Sequence, residues 1–245
     1  MTDEEVNPPI DRPSPKRKPA GKFITFEGGE GSGKSTQVQL LAERLKQAGL
    51  QSSTTREPGG SPSAEDIRKL LVSGAVARWD PMTELLLHTA ARREHLRNLI
   101  QPVLNRGVWL ISDRFVDSTM AYQGYGYGLG RETVESLHRM IAGDFMPDLT
   151  LILDIPTEDG LARAKVRSDA GKAKNPTVKA EDRYERMAKP FHRRLRRGFL
   201  DIARQDPERC RVIDASQGID AVAADVWKAV TEKFELPQAV ASKSI

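Results

Sequence analysis

Residues 22–27 (KFITFE) run without a break into Gly28-Gly29-Glu30-Gly31-Ser32-Gly33-Lys34-Ser35, followed by Thr36. An apolar run, a glycine-rich turn and then Val38, Leu41 and Leu45 on one helical face define a strand-loop-helix unit. The turn reads G-x-x-x-x-G-K-S, the pattern of a phosphate-cradling loop. Its glycines let successive backbone N–H groups curl around an anion without side-chain obstruction. A helix starting near Lys34 aims the positive end of its dipole at the same place. Lys34 adds a point charge for the β and γ oxygens, and Ser35 offers a hydroxyl to Mg²⁺. The loop predicts nucleoside triphosphate binding and leaves open what is done with the triphosphate.

The same strand-helix rhythm continues along the chain. Strands are predicted at 52–57, 108–113, 149–155 and 210–214; the last three read as nearly continuous apolar runs, as in a parallel sheet buried on both faces. A long helix follows Asp80-Pro81, an N-cap with proline at the first helical position, and runs to about residue 100. Further helices are predicted at 132–142, 158–168, 181–204 and 218–234. The fold class is α/β, a doubly wound parallel sheet flanked by helices. Residues 1–20, with five prolines, four acidic and four basic residues, are expected to be a disordered tail, and 237–245 a flexible end. That leaves one domain over 21–236.

Composition excludes other classes. No apolar run approaches the roughly 18 residues of a spanning helix, so no membrane partner is expected. One cysteine, Cys210, rules out a disulfide scaffold and a thiolate zinc site, and the four histidines show no metal-ligand spacing. With no signal-peptide pattern at the start, a cytoplasmic location is expected. The net charge is +4, yet residues 157–197 hold thirteen Lys/Arg against six Asp/Glu. A basic segment on an otherwise slightly acidic chain suits a polyanionic ligand, either nucleotide phosphates or a nucleic-acid backbone.

The ordered segments FEGGEGSGKST, TREPGG, AARREHL, SDRFVDSTMAYQG, PDLTLILDIP and PFHRRLRRGF resemble, in sequence and order, the bacterial thymidylate kinases. The likeness covers about 22–235, and the DRF…AYQG combination is far more specific than the glycine loop. It implies transfer of the ATP γ-phosphate to dTMP with Mg²⁺, a five-stranded parallel sheet and a homodimer. It also implies site roles: Arg114 bridging donor and acceptor phosphates, Asp113 supporting the Mg²⁺ shell, and Arg92 gripping the dTMP phosphate. Arg68, Thr119 and Gln123 would read the base, Tyr122 would crowd a ribose 2′-OH, and Glu57 and Pro58 would line the sugar side.

Such an inventory suits the chemistry. A phosphate acceptor is already anionic near neutral pH, so the reaction needs arginines and metal ligands rather than a general base. Position 88 departs from the family, which usually has phenylalanine stacked on thymine; His88 can stack with less area or sit as a hydrogen-bonded helix residue. Arg92 lies one helical turn beyond it, so both can face one cleft. The glycine loop carries Glu30 and no arginine, so transition-state charge is expected from a lid at about 163–182, with Arg163 on the ATP side and Arg167 as the family's key residue. Glu30 is expected to organise an arginine or a sugar hydroxyl. Competing readings are a kinase for dUMP or CMP, a nucleic-acid-dependent ATPase and a nucleotide-binding scaffold. The absence of aromatic-interleaved basic patches disfavours nucleic acid.

Overall fold

A computed structural model describes residues 21–174 and 183–236, so the expected tail, the C-terminal end and lid residues 175–182 lie outside the described residues. Five parallel strands form one sheet: β1 (Phe23–Glu27), β2 (Ser52–Arg56), β3 (Trp109–Asp113), β4 (Leu149–Asp154) and β5 (Cys210–Asp214). Their order is β2-β3-β1-β4-β5, which puts β1 in the centre. The register pairs Phe26 with Asp113, Glu27 with Ile152, and Arg56 with Asp113. The carboxyl ends of β1, β2 and β3 are therefore level. The glycine loop, Glu57-Pro58 and Arg114 emerge side by side, where such sheets place ligands.

The three inner strands are buried nearly throughout, as their unbroken apolar runs require. The edge strand β5 differs from expectation. Cys210 is buried against α8 (Lys189–Gln205) and Ile213 on the opposite face against α9 (Ile219–Phe234), while Val212 is exposed, so each face of this edge strand is only partly covered. On one side of the sheet, α1 (Lys34–Gln47) and α9 (Ile219–Phe234) bury Val38, Leu41, Leu45, Val226 and Val230 against β1 and β4. A second core joins Leu85, Tyr122, Phe191, Leu195 and Phe199, and a third joins Phe23, Leu96, Ile100, Leu104 and Phe115.

Helix α2 (Pro62–Leu71) was not foreseen; helix α3 (Pro81–His95) was, and the Asp80 carboxylate accepts from the Met82 and Thr83 N–H groups as an N-cap should. The expected single helix to residue 100 instead widens into a π-helical turn, 96–100, before α4 (Gln101–Asn105). Pro102 has no N–H for the carbonyl four residues back and its ring would clash there, which accounts for the wider turn. After β3 come α5 (Val116–Thr119), a π-helical segment at 120–126 and α6 (Arg131–Ala142). Helix α7 (Thr157–Lys174) runs six residues past its expected end, and α8 (Lys189–Gln205) starts later than the predicted 181, after turns at 183–186.

Candidate active site

The glycine loop adopts the conformation its composition demands. Gly28 and Gly31 have φ of 134° and 69°, and a Cβ at either would lie 2.4 Å from Leu153 O or 2.0 Å from Gly160 O. Helix α1 has no side-chain N-cap, so its first-turn N–H groups face the loop's anion site. Lys34 Nζ donates to Gly28 O (3.1 Å), Gly29 O (2.8 Å) and Ser32 Oγ (3.2 Å). Burial, and then the Arg114 charge, lower its pKa to about 8 despite Glu30 and Asp113 nearby. Ser35 and Thr36 are exposed at the start of α1, and Ser35 Oγ donates to Asp113 Oδ2 at 2.6 Å.

Arg114 follows β3 with φ of 76°, the left-handed region in which a non-glycine residue carries about 1–3 kcal/mol of strain. Its guanidinium donates to Gly28 O and Ser118 Oγ, lies 5.2 Å over the Tyr122 ring and reaches Glu30 Oε1 at 3.1 Å. The Tyr122 hydroxyl donates to the same Glu30 oxygen. Burial alone would raise the Glu30 carboxyl, but Arg114, Lys34, the Tyr122 hydroxyl and Arg167 together hold it down at about 2. Glu30 is thus ionised and pairs with Arg114 at the loop.

Beside this corner, buried Arg92 donates from Nε to Glu57 Oε2 (2.8 Å) and from Nη2 to Thr119 Oγ1 (2.7 Å), 5.1 Å over the Phe115 ring. Glu57 also pairs with His95 Nδ1, whose Nε2 meets Thr55 Oγ1 at 2.7 Å. The Glu57 carboxylate therefore stands behind Arg92 and orients it. Arg68 Nη1 donates to Pro58 O at 2.7 Å, which brings α2 to the same loop.

Further along the cleft, fully buried Gln123 donates to Glu84 Oε1 (2.7 Å), and its own Oε1 has no hydrogen-bond partner among the described residues. Glu84 also accepts from the Tyr184 hydroxyl, while Arg183 Nη2 lies 2.5 Å from its other oxygen without hydrogen-bond geometry. Arg183 fastens the segment before α8 to the carbonyls of Leu71, Ala75 and Val76. Glu84, Arg183, Tyr184 and His95 were not picked out from sequence. The one visible signal was a carboxylate inside the apolar run TELLL, whose partner lies about a hundred residues away.

His88 shares a hydrogen bond with the Tyr184 hydroxyl at 2.9 Å, and the two rings sit 6.4 Å apart. Burial, then the charges of Arg92 and Arg183, push its pKa from 6.5 down to about 3. The ring is neutral at pH 7 and presents an uncharged face to the cleft. In the unfolded chain it protonates near pH 6.5. The stability tied to His88 is therefore complete above that pH and is lost as pH falls toward 3. His88→Phe is expected to show a smaller loss of Tm than the unsubstituted protein across that window. An imidazole titration of His88 centred near pH 6.5 would contradict this.

On α7, Arg163 donates to Ala215 O (2.8 Å) and Ser216 O (3.2 Å) in the β5-α9 loop, and Arg167 pairs with Glu185. The site residues thus gather along one edge of the sheet: loop, Glu30, Asp113, Arg114 and Tyr122 in one group, Arg92, Glu57 and Thr119 beside it, and Gln123 with His88 farther out. Arg163 is turned toward the β5-α9 loop rather than toward Lys34.

The chain is similar to known proteins over most of its length. The thymidylate kinase family model matches residues 26–226. A thymidylate kinase of Caulobacter vibrioides is 50% identical over 216 residues, 88% of this chain and 99% of that protein. One from Dinoroseobacter shibae is 52% identical over 206 residues, 84% and 94% of the two chains. Among solved structures, the thymidylate kinase from Ehrlichia chaffeensis is similar with a TM-score of 0.65 and 36% identity, covering 86% of this chain and 98% of that one. A family model over residues 26–226 and relatives about 50% identical over most of the chain lead to one conclusion: the chain belongs to the thymidylate kinase family.

Proposed function

We propose that this chain carries out the thymidylate kinase reaction, transfer of the γ-phosphate of ATP to dTMP to give dTDP, with the donor in the glycine loop and the acceptor against Arg92. The observation that carries the division of labour is the position of Arg114. It is anchored by Glu30 and Gly28 O at the loop, one strand from the Arg92-Glu57 pair. A guanidinium there neutralises charge on both phosphates as they approach in line. Residues 28–36 hold the triphosphate through backbone N–H groups and Lys34. Arg92, oriented by Glu57 and Thr119, takes the acceptor phosphate.

The unpartnered Gln123 Oε1 suits a base N–H, because a buried amide oxygen without a donor is costly. Arg68 supplies a donor from α2, neutral His88 offers a flat face, and the Tyr122 ring crowds the sugar. Ser35 and Asp113 fit Mg²⁺: they bring two hard oxygens 2.6 Å apart beside the triphosphate loop. Among the described residues no cluster of three or more His, Cys, Asp or Glu offers an all-protein cage. One or two protein oxygens completed by phosphates are the usual Mg²⁺ arrangement. Bound there, the ion would neutralise the donor's oxygens.

The single domain spans 21–236, and residues 163–182 act as a lid that brings Arg167 to the phosphates and excludes water. Among the described residues no helix is long and apolar enough to cross a membrane. A cytoplasmic homodimer completes the reading. It is supported by Leu86 on α3 and Met140 on α6, exposed apolar side chains on two helices that pack together, and light scattering should return the mass of two chains.

The acceptor assignment is tested by Arg92→Ala. It is expected to raise KM for dTMP by about 10–100-fold, the loss of a charge-assisted contact. KM for ATP should change little. A rise confined to ATP would exchange the donor and acceptor sides.

A further inference from the structure

Glu27, the last residue of β1, is fully buried beneath Arg114 and takes no part in holding either nucleotide in the reading above. Its Oε1 accepts the Phe115 N–H at 2.7 Å, and its Oε2 accepts the Ser118 hydroxyl. Ser118 Oγ in turn receives Arg114 Nη1 at 3.0 Å, and the same nitrogen donates to Gly28 O, one residue beyond Glu27. The backbone of Arg114 is closed from both sides: its N–H donates to Phe26 O at 2.9 Å and its carbonyl accepts from Ser112 Oγ at 2.7 Å. One carboxyl group, its pKa pushed up to about 8 by burial and the nearby Asp117 charge, thus holds the amide immediately after a left-handed residue and pairs with the hydroxyl that receives that residue's guanidinium.

We propose that Glu27 is a positioning residue for Arg114, fixing both its left-handed turn and the heading of its guanidinium toward the phosphates. This rests on the assignment of Arg114 as the bridge between donor and acceptor. Two oxygens on one planar group suit the task, because they hold two hydrogen-bonding partners at a set separation. The neighbouring carboxylate, Asp117, does not substitute: both of its oxygens are engaged by Arg209, and Oδ2 also accepts from Thr150. A group that only filled space under the loop would influence folding, not the transition state.

The experiment is a double-mutant cycle on the full chain, with kcat, KM for each nucleotide and Tm measured for Glu27→Ala, Ser118→Ala and Arg114→Ala, singly and paired with Arg114→Ala. Misplacing a catalytic charge by about 1 Å costs on the order of 100-fold. Glu27→Ala is therefore expected to lower kcat by about 10–100-fold, and Ser118→Ala by about fivefold, with KM values within about threefold. In the Arg114→Ala background each should cost less than about twofold, since residues acting through one group are not additive. Full additive losses there, or losses confined to KM, would overturn the proposal. Ser118→Ala removes only a hydroxyl, so the cycle stays readable if Glu27→Ala does not fold. Near-normal kcat in Arg114→Ala alone would instead overturn the bridging assignment on which the proposal stands.

Discussion

Lys34→Ala is expected to lower kcat by about 10³-fold or more, equivalent to roughly 4 kcal/mol of transition-state stabilisation. The ammonium is buried and bound to two loop carbonyls and Ser32 Oγ, so it is the fixed positive charge at the floor of the phosphate site. Its pKa of about 8 leaves it mainly charged at neutral pH, with kcat/KM for ATP declining as it deprotonates above that value. Alanine removes that charge and also unties the loop carbonyls, so ATP binding should weaken as well. Steady-state kinetics with ATP titrations check this, and near-normal turnover would remove the glycine loop from the mechanism.

The second large effect is expected at Arg167. The glycine loop contains no arginine, so charge developing on the transferring phosphoryl needs a donor from outside it. Arg167 is largely exposed on α7, pairs with Glu185 and contributes to holding the Glu30 carboxyl down, which puts its charge within reach of the loop. Arginines that arrive in the transition state are worth about 10³–10⁵ in kcat. Arg167→Ala should cause a loss of that order while binding of ATP and dTMP changes much less. Arg163, tied to two carbonyls of the β5-α9 loop, should matter less for kcat when replaced by alanine. The reverse ranking would make Arg163 the transition-state group.

The parts of this molecule that could be read in advance are those whose local chemistry has one solution. An apolar strand meeting GGEGSGKS leaves little choice of backbone, and Asp80-Pro81 starts a helix because the carboxylate caps the Met82 and Thr83 N–H groups while proline sits where its missing N–H would have no helical partner. Strands β1, β3 and β4 were legible because burial on both faces writes itself as an unbroken apolar run. Edge strand β5 was overread, since Val212 faces outward despite its type.

Other features depend on distant partners. The Glu84, Gln123, Tyr184 and Arg183 cluster joins three separated segments through contacts that no spacing rule encodes. Glu27 looked like the end of a strand, and only its bonds to Phe115 and Ser118 give it another role. Glu30, Glu57 and Thr119, named by family likeness, hold Arg114 and Arg92, whereas Glu27 and His95, which stand behind them, were not visible in the sequence.

The account is tested most directly by offering the purified full chain Mg-ATP with dTMP, dUMP, CMP, GMP or AMP and measuring kcat/KM for diphosphate formation. The predicted result is dTDP as the dominant product, with dTMP favoured over dUMP by about 10–200-fold, the discrimination available from one methyl group, and over the other monophosphates by more. Preference for another monophosphate, or ATP hydrolysis stimulated by DNA without dTDP formation, would contradict it.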